Sequence, residues 1–257
     1  MQNALKAKWQ AGEVTFGCWL SLANTYSAEL MARQGYDYAC IDLQHGTAEY
    51  SDALQMLQAI STTDTPPIVR VPWNEPGIIG RVLDAGAVGV VVPMVNSVEE
   101  AEAAVAACRY APEGGRSFGP IRAAMVHDDY YPTANDQIAC IAMIETERAV
   151  ADIDAILDVP GIDAVYIGPA DLSVSLGLPP GVDNDGPFPD ALEKVVNACK
   201  ARGIAPGIHS NAGVAPKRVE GGFQMVTVSS DTLAMAAGAR ADLKAVGDVD
   251  KQAEAVY

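Results

Sequence analysis

Apolar residues along the chain come in short, nearly continuous runs separated by segments with helical spacing. Eight runs read as strands: Val14–Leu22, Tyr38–Leu43, Ile68–Val71, Gly89–Pro93, Ala139–Ile144, Ala164–Ile167, Ala205–Ile208 and Met225–Val228. Few polar residues alternate within them, which is the pattern of a sheet covered on both faces. Helical spacing marks Ser27–Arg33, Ser51–Ile60, Pro76–Leu83, Val98–Cys108, Val150–Leu157, Ala191–Ala201, Val214–Val219 and Thr232–Lys244. Asn24 stands at a cap position, Ser97 followed by Glu100 has capping-box spacing, and Arg33-Gln34-Gly35 ends a helix on a glycine.

Eight strands, each followed by a helix, in 257 residues predict one (β/α)8 TIM barrel spanning residues 1–257. The main alternative is a doubly wound open sheet. That fold often carries a glycine-rich phosphate loop, and no G-x-G-x-x-G or G-x-x-x-x-G-K-[ST] follows the first strand. The connection Ala111–Asn135 is long and rich in glycine and proline, which reads as a lid or interface loop. No shift in composition divides the chain.

Composition narrows the class. Hydrophobic residues make up 49% and charged residues 19%, which excludes disorder. Seventeen basic against 33 acidic residues leave a net charge of −16, a field that repels nucleic acid. Met1–Lys6 lacks a signal-peptide pattern, and no apolar run has the length of a membrane span. Cys18, Cys40, Cys108, Cys140 and Cys199 are widely spaced in apolar contexts without C-x-x-C. Buried, reduced thiols in a cytoplasmic protein are the expectation.

A barrel gathers its chemistry at the C-terminal ends of its strands. Standing there are Asp42-Leu43-Gln44-His45-Gly46, Arg70, Glu145-Thr146, Gly168-Pro169-Ala170-Asp171, His209-Ser210-Asn211 and Ser229-Ser230-Asp231. Glu145 and Asp171 can each be helix caps. Arg70 lies in an apolar strand and requires either an acidic partner or an anionic ligand. His45 can equally be a histidine that bonds its own loop. Read together, two carboxylates without a thiolate or histidine cluster suit Mg2+ or Mn2+, completed by water and a chelating 2-oxo acid. A metal acidifies the methyl group of such an acid, a histidine takes the proton, and Arg70 holds the enolate oxygen.

The segments Asp42–Gly46, Ile68–Pro72, Ala142–Thr146 and Ile167–Ser173 resemble the HpcH/HpaI family of metal-dependent class II pyruvate aldolases. Arg81–Ala87 and Pro112–Ser117 also match its pattern, and the likeness runs from Gly17 to about Asp231. The resemblance implies a lyase that reversibly cleaves 4-hydroxy-2-oxo acids to pyruvate, or a related 2-oxo acid, and an aldehyde by way of an enolate. It implies His45 as base, Asp84 as the acid orienting it, Arg70 on the enolate and Glu145 and Asp171 as ligands of Mg2+, Mn2+ or Co2+. Backbone groups from Gly168 through Pro169 and Ala170 to Asp171 would hold the pyruvate carboxylate. A homohexamer exchanging the C-terminal helix, here Thr232–Val246, is implied as well.

Two departures stand out. Met143 replaces a glutamine found two residues before the metal glutamate in well-known members, and His209-Ser210-Asn211 is more polar than an apolar pocket end. Ser210 and Asn211 can bond a hydroxylated aldehyde, so a preference for short hydroxyaldehydes is expected, influenced by the His209-Ser210 pair. Two other readings are a decarboxylase with the same metal cradle and a non-catalytic 2-oxo acid sensor. A Schiff-base aldolase would need a lysine at the rim, whereas Lys194, Lys200 and Lys217 lie in helical stretches.

Overall fold

A computed structural model describes residues 1–247. Its strands are β1 (Thr15–Leu20), β2 (Tyr38–Asp42), β3 (Pro67–Arg70), β4 (Gly89–Val92), β5 (Ala139–Ile144), β6 (Ala164–Ile167), β7 (Ala205–His209) and β8 (Met225–Ser230). All pair in parallel in chain order, and β8 closes on β1. The helices up to β5 are α1 (Ala4–Gln10), α2 (Thr25–Ala32), α3 (Tyr50–Ile60), α4 (Pro76–Asp84), α5 (Val98–Cys108), α6 (Ile121–Val126) and α7 (Tyr130–Gln137). After it come α8 (Glu147–Ala151), α9 (Ile153–Leu157), α10 (Pro169–Ser175), α11 (Pro187–Arg202), α12 (Ala215–Glu220) and α13 (Asp231–Ala245). The (β/α)8 barrel is therefore the fold.

Strand parity explains the continuous apolar runs. Alternate residues such as Trp19, Tyr38, Cys40, Ile68, Val91, Ile141, Met143, Tyr166 and Met225 fill the barrel interior. The opposite parity, including Leu20, Ile41, Val69, Ile144 and Val165, packs beneath the helices. Two interior glycines make room for the large rings. A Cβ on Gly17 would overlap the Tyr38 ring, and one on Gly207 would come within 3.1 Å of the Tyr166 ring.

Helix α1 is a feature the apolar pattern does not announce. Its Leu5 and Trp9 join the interior cluster beyond the N-terminal strand ends. Asn3 caps it by accepting from the N–H groups of Leu5 and Lys6, and donates to the carbonyls of Val88 and Gln137. Trp9 Nε1 donates to Thr15 Oγ1 at 3.0 Å.

The connection read as a lid is corrected by chain order. It leaves the end of α5 and enters the start of β5, so it lies at the N-terminal rim, opposite the strand ends that carry the chemistry. It contains α6 and most of α7, and the Met1 amino group docks on Thr133 and Asp129. The single helix expected over Val150–Leu157 is two short ones meeting at Asp152. Among the described residues, no helix is long and apolar enough to cross a membrane.

Candidate active site

Interior parity continues past the apolar layers to Asp42, Arg70, Glu145, Gly168 and His209 at the C-terminal end. Register places Asp42 directly beside Arg70. The pair is bidentate, with Arg70 Nε 2.8 Å from Asp42 Oδ1 and Nη2 2.6 Å from Oδ2. Asp42 Oδ2 also accepts from Trp19 Nε1 at 3.0 Å, and Oδ1 accepts the N–H groups of Gln44 at 3.0 Å and His45 at 3.3 Å. The turn after β2 is thus wound onto one carboxylate. Burial opposes the charge on Asp42, but the bonds and charge of Arg70 prevail and hold it below the usual carboxylate range. Arg70 has the acidic partner its apolar strand demanded, and Nη1 makes no hydrogen bond to the described residues.

Glu145 is 2% exposed. Its Oε1 accepts from the N–H of Met94 at 2.8 Å, and Met94 adopts φ 55°, a left-handed conformation unusual for methionine. Thr146, not Glu145, caps the following helix. Oε2 lies against Gly168, where a Cβ would collide with it. Burial first, then the charge of Asp171, push the Glu145 carboxyl up to about 7, against the pull of the Met94 N–H and Arg70. Asp171 is exposed in the first turn of α10 and caps nothing. Among the described residues, no three His, Cys, Asp or Glu side chains cluster in a metal-binding geometry. Two carboxylates, with Glu145 Oε2 accepting no hydrogen bond from the described residues, leave ligand positions for water and a chelating substrate.

An aromatic and hydroxyl network underlies this layer. Trp19 stacks on Tyr166 with ring centroids 5.3 Å apart, and the Arg70 guanidinium lies 5.1 Å from the Trp19 ring centre. His209 stands edge-on to Trp19 and meets Tyr166 Oη through Nδ1 at 3.2 Å. Burial and the charge of Arg70 bring its pKa down to about 4. Sequence reasoning left Asp42, Trp19 and Tyr166 unassigned. The register neighbour of Arg70 was the available signal for Asp42; the other two depend on contacts across the barrel.

His45 is exposed on the turn after β2, at the mouth. Asp84 is not brought to it. It ends α4 at the opposite rim, where its Oδ1 accepts from Arg116 Nη2 at 2.6 Å. Within one chain the expected His45–Asp84 pair does not form, because a barrel helix runs back to the N-terminal face before it ends. Ser210 has outward parity and is buried, and its Oγ reaches only the carbonyl of Asn211. Asn211 Oδ1 accepts from Gly213 and Val214, holding its own turn. Of the three polar residues ending β7, His209 alone faces the interior. His127, at the end of α6, also belongs to the opposite rim. Lys194, Lys200 and Lys217 are exposed on helices.

A closed parallel barrel with charged side chains gathered at the C-terminal strand ends has the architecture of a barrel enzyme. The model of the HpcH/HpaI aldolase/citrate lyase family matches residues 15–237, and the chain belongs to this family. A 4-hydroxy-2-oxo-heptane-1,7-dioate aldolase of Salmonella dublin is 41% identical over 94% of this chain and 93% of its own length. A crystal structure of an HpcH/HpaI aldolase/citrate lyase family protein from Burkholderia cenocepacia J2315 superimposes with a TM-score of 0.90. The two are 34% identical, over 96% of this chain and all of that one. The citrate synthase SbnG is 30% identical, with a TM-score of 0.83 over 94% of this chain and 96% of its own. The protein is a carbon–carbon lyase by these relationships.

Proposed function

We propose that the protein is a metal-dependent aldolase that reversibly cleaves 4-hydroxy-2-oxo acids to pyruvate, or a related 2-oxo acid, and an aldehyde. The observation that carries this reading is Arg70, clamped by Asp42 along one edge with Nη1 left free, within electrostatic reach of Glu145 beside Asp171. All-oxygen donors suit a hard divalent cation, Mg2+, Mn2+ or Co2+, and Glu145 Oε2, packed where a Gly168 Cβ would stand, accepts no hydrogen bond from the described residues. When bound, such an ion acts as a Lewis acid toward the keto group of the substrate.

The chain's own groups do the rest. Arg70 holds the oxygen that becomes negative as the enolate forms, and its fixed guanidinium needs no reorganisation. His45 takes the methyl proton from the open turn. The first N–H groups of α10, at Ala170 and Asp171, have no helical acceptors and are oriented to bind the carboxylate; Gly168 and Pro169 set their approach. Asp84 supports His45 only if it comes from another copy of the chain. Phe118 and Ile121, near it on the same rim, are 66% and 82% exposed, a surface suited to burial against a neighbour. Beyond Asp231, α13 is partly or fully exposed along its length, which favours its exchange between subunits of a homohexamer. Five free buried thiols accord with a cytoplasmic protein.

The test is pyruvate release from a panel of 4-hydroxy-2-oxo acids, with chelator and after adding back each metal. Release that stops with chelator, returns with Mg2+, Mn2+ or Co2+, and is lost in Glu145→Gln is expected. Undiminished release in chelator would refute the metal assignment, and no release with any metal would refute the aldolase.

A further inference from the structure

His209 ends β7 on the interior side of the barrel, and the binding mode proposed for the 2-oxo acid gives it no role. Its Nδ1 lies 3.2 Å from Tyr166 Oη, which lies 2.5 Å from Thr227 Oγ1, which in turn lies 2.9 Å from Tyr38 Oη. Tyr38, Tyr166 and Thr227 are all 0% exposed, so none of the three hydroxyl protons is given to bulk water. Three protons must therefore be placed in three bonds.

One direction alone uses every proton: Tyr38 donates to Thr227, Thr227 to Tyr166, and Tyr166 to His209 Nδ1. Reversing the chain leaves the Tyr38 proton without an acceptor. Aiming both tyrosines at Thr227 strands the threonine proton instead. Nδ1 is thus an acceptor, and the ring's one proton sits on Nε2. A second ring proton would have to enter at Nδ1 and turn the whole chain round, so the imidazole stays neutral. The lowered pKa of His209, which follows from burial and the charge of Arg70, agrees. Nε2 makes no hydrogen bond to the described residues. His209 and Arg70 both contact Trp19, so Nε2–H belongs to the same open end as the enolate oxygen's partner.

We propose that His209 is a specificity-determining residue, whose Nε2–H donates to a hydroxyl on the carbon next to the aldehyde group of the acceptor. The assignment rests on the aldolase reading above. A site built to bond such an oxygen rejects the alkyl analogue, because the donor is then left unpaired.

The experiment is aldol addition of pyruvate to glycolaldehyde and to propanal by the metal-loaded enzyme, reported as the ratio of the two kcat/KM values. The ratio cancels any loss common to both acceptors. It is expected to favour glycolaldehyde in the parent and to fall about tenfold in His209→Leu, by loss of one hydrogen bond. His209→Gln, whose amide restores a donor, should recover part of it. Tyr166→Phe removes the group that fixes the tautomer and should lower the ratio even if His209→Leu fails to fold. Nitrogen NMR of the parent should find the proton on Nε2. An unchanged ratio in His209→Leu or, should that variant not fold, in Tyr166→Phe overturns the proposal while leaving the aldolase intact. Addition to no aldehyde by the parent refutes the aldolase reading itself.

Discussion

At the residue scale, the account turns on charges held where water is scarce. Arg70 and Asp42 show how a buried ion pair becomes a tool: one edge of the guanidinium is spent on the carboxylate, and the other stays available. His209 offers a clean thermodynamic check. Free histidine takes a proton near pH 6.5, whereas folded His209 does so only at about 4. Between these values the unfolded chain binds the proton and the native chain does not, so stability falls as pH drops through that window. The loss, complete below 4, amounts to about 3 kcal/mol at most. His209→Leu should therefore show a shallower decline in melting temperature from pH 6.5 to 4 than the parent, the shared contributions of Asp42 and Glu145 cancelling in the comparison. Parallel curves would mean that His209 titrates normally.

At the element scale, the strand runs and most helices are legible because burial on both faces leaves an uninterrupted apolar record. Helix α1 is not, since its seven residues are half polar and only Leu5 and Trp9 face the core. The misplaced lid shows a different limit. Glycine and proline content reveals a connection, but only the order of helix and strand tells which rim it occupies. Site residues follow the same division. Arg70 and Glu145 are conspicuous as polar groups at apolar strand ends, whereas the Tyr38–Thr227–Tyr166–His209 chain joins four strands, β2, β8, β6 and β7, that no local pattern connects. Gly168 is legible only as part of a motif, yet its missing Cβ gives Glu145 Oε2 its place. Its φ of −87° suits any residue, so Gly168→Ala strains no backbone, and the Glu145 carboxylate and the Met143 methyl must give way to the new Cβ. The added methyl displaces a carboxylate oxygen, and Mn2+ affinity measured by titration calorimetry should drop about 10–100-fold, as for other disturbed ligand surroundings. Unchanged affinity would remove Glu145 from the metal site.

At the scale of the whole molecule, the barrel separates two tasks. Its C-terminal end concentrates Arg70, Glu145, Asp171 and His45, while its N-terminal rim carries Asp84, Arg116 and the exposed Phe118 and Ile121. A histidine and an acid placed at opposite ends of one chain can meet only across copies, so the roles proposed for His45 and Asp84 would link assembly to catalysis through that surface. The central claim is narrower than assembly: an enolate forms at the C-terminal end with His45 as base. Exchange of pyruvate methyl protons in heavy water, with metal bound and no aldehyde present, measures that step directly. The parent enzyme should exchange them, and His45→Ala should do so about 10²–10⁴-fold more slowly. Equal rates in the two proteins, or no exchange in the parent, would contradict the account.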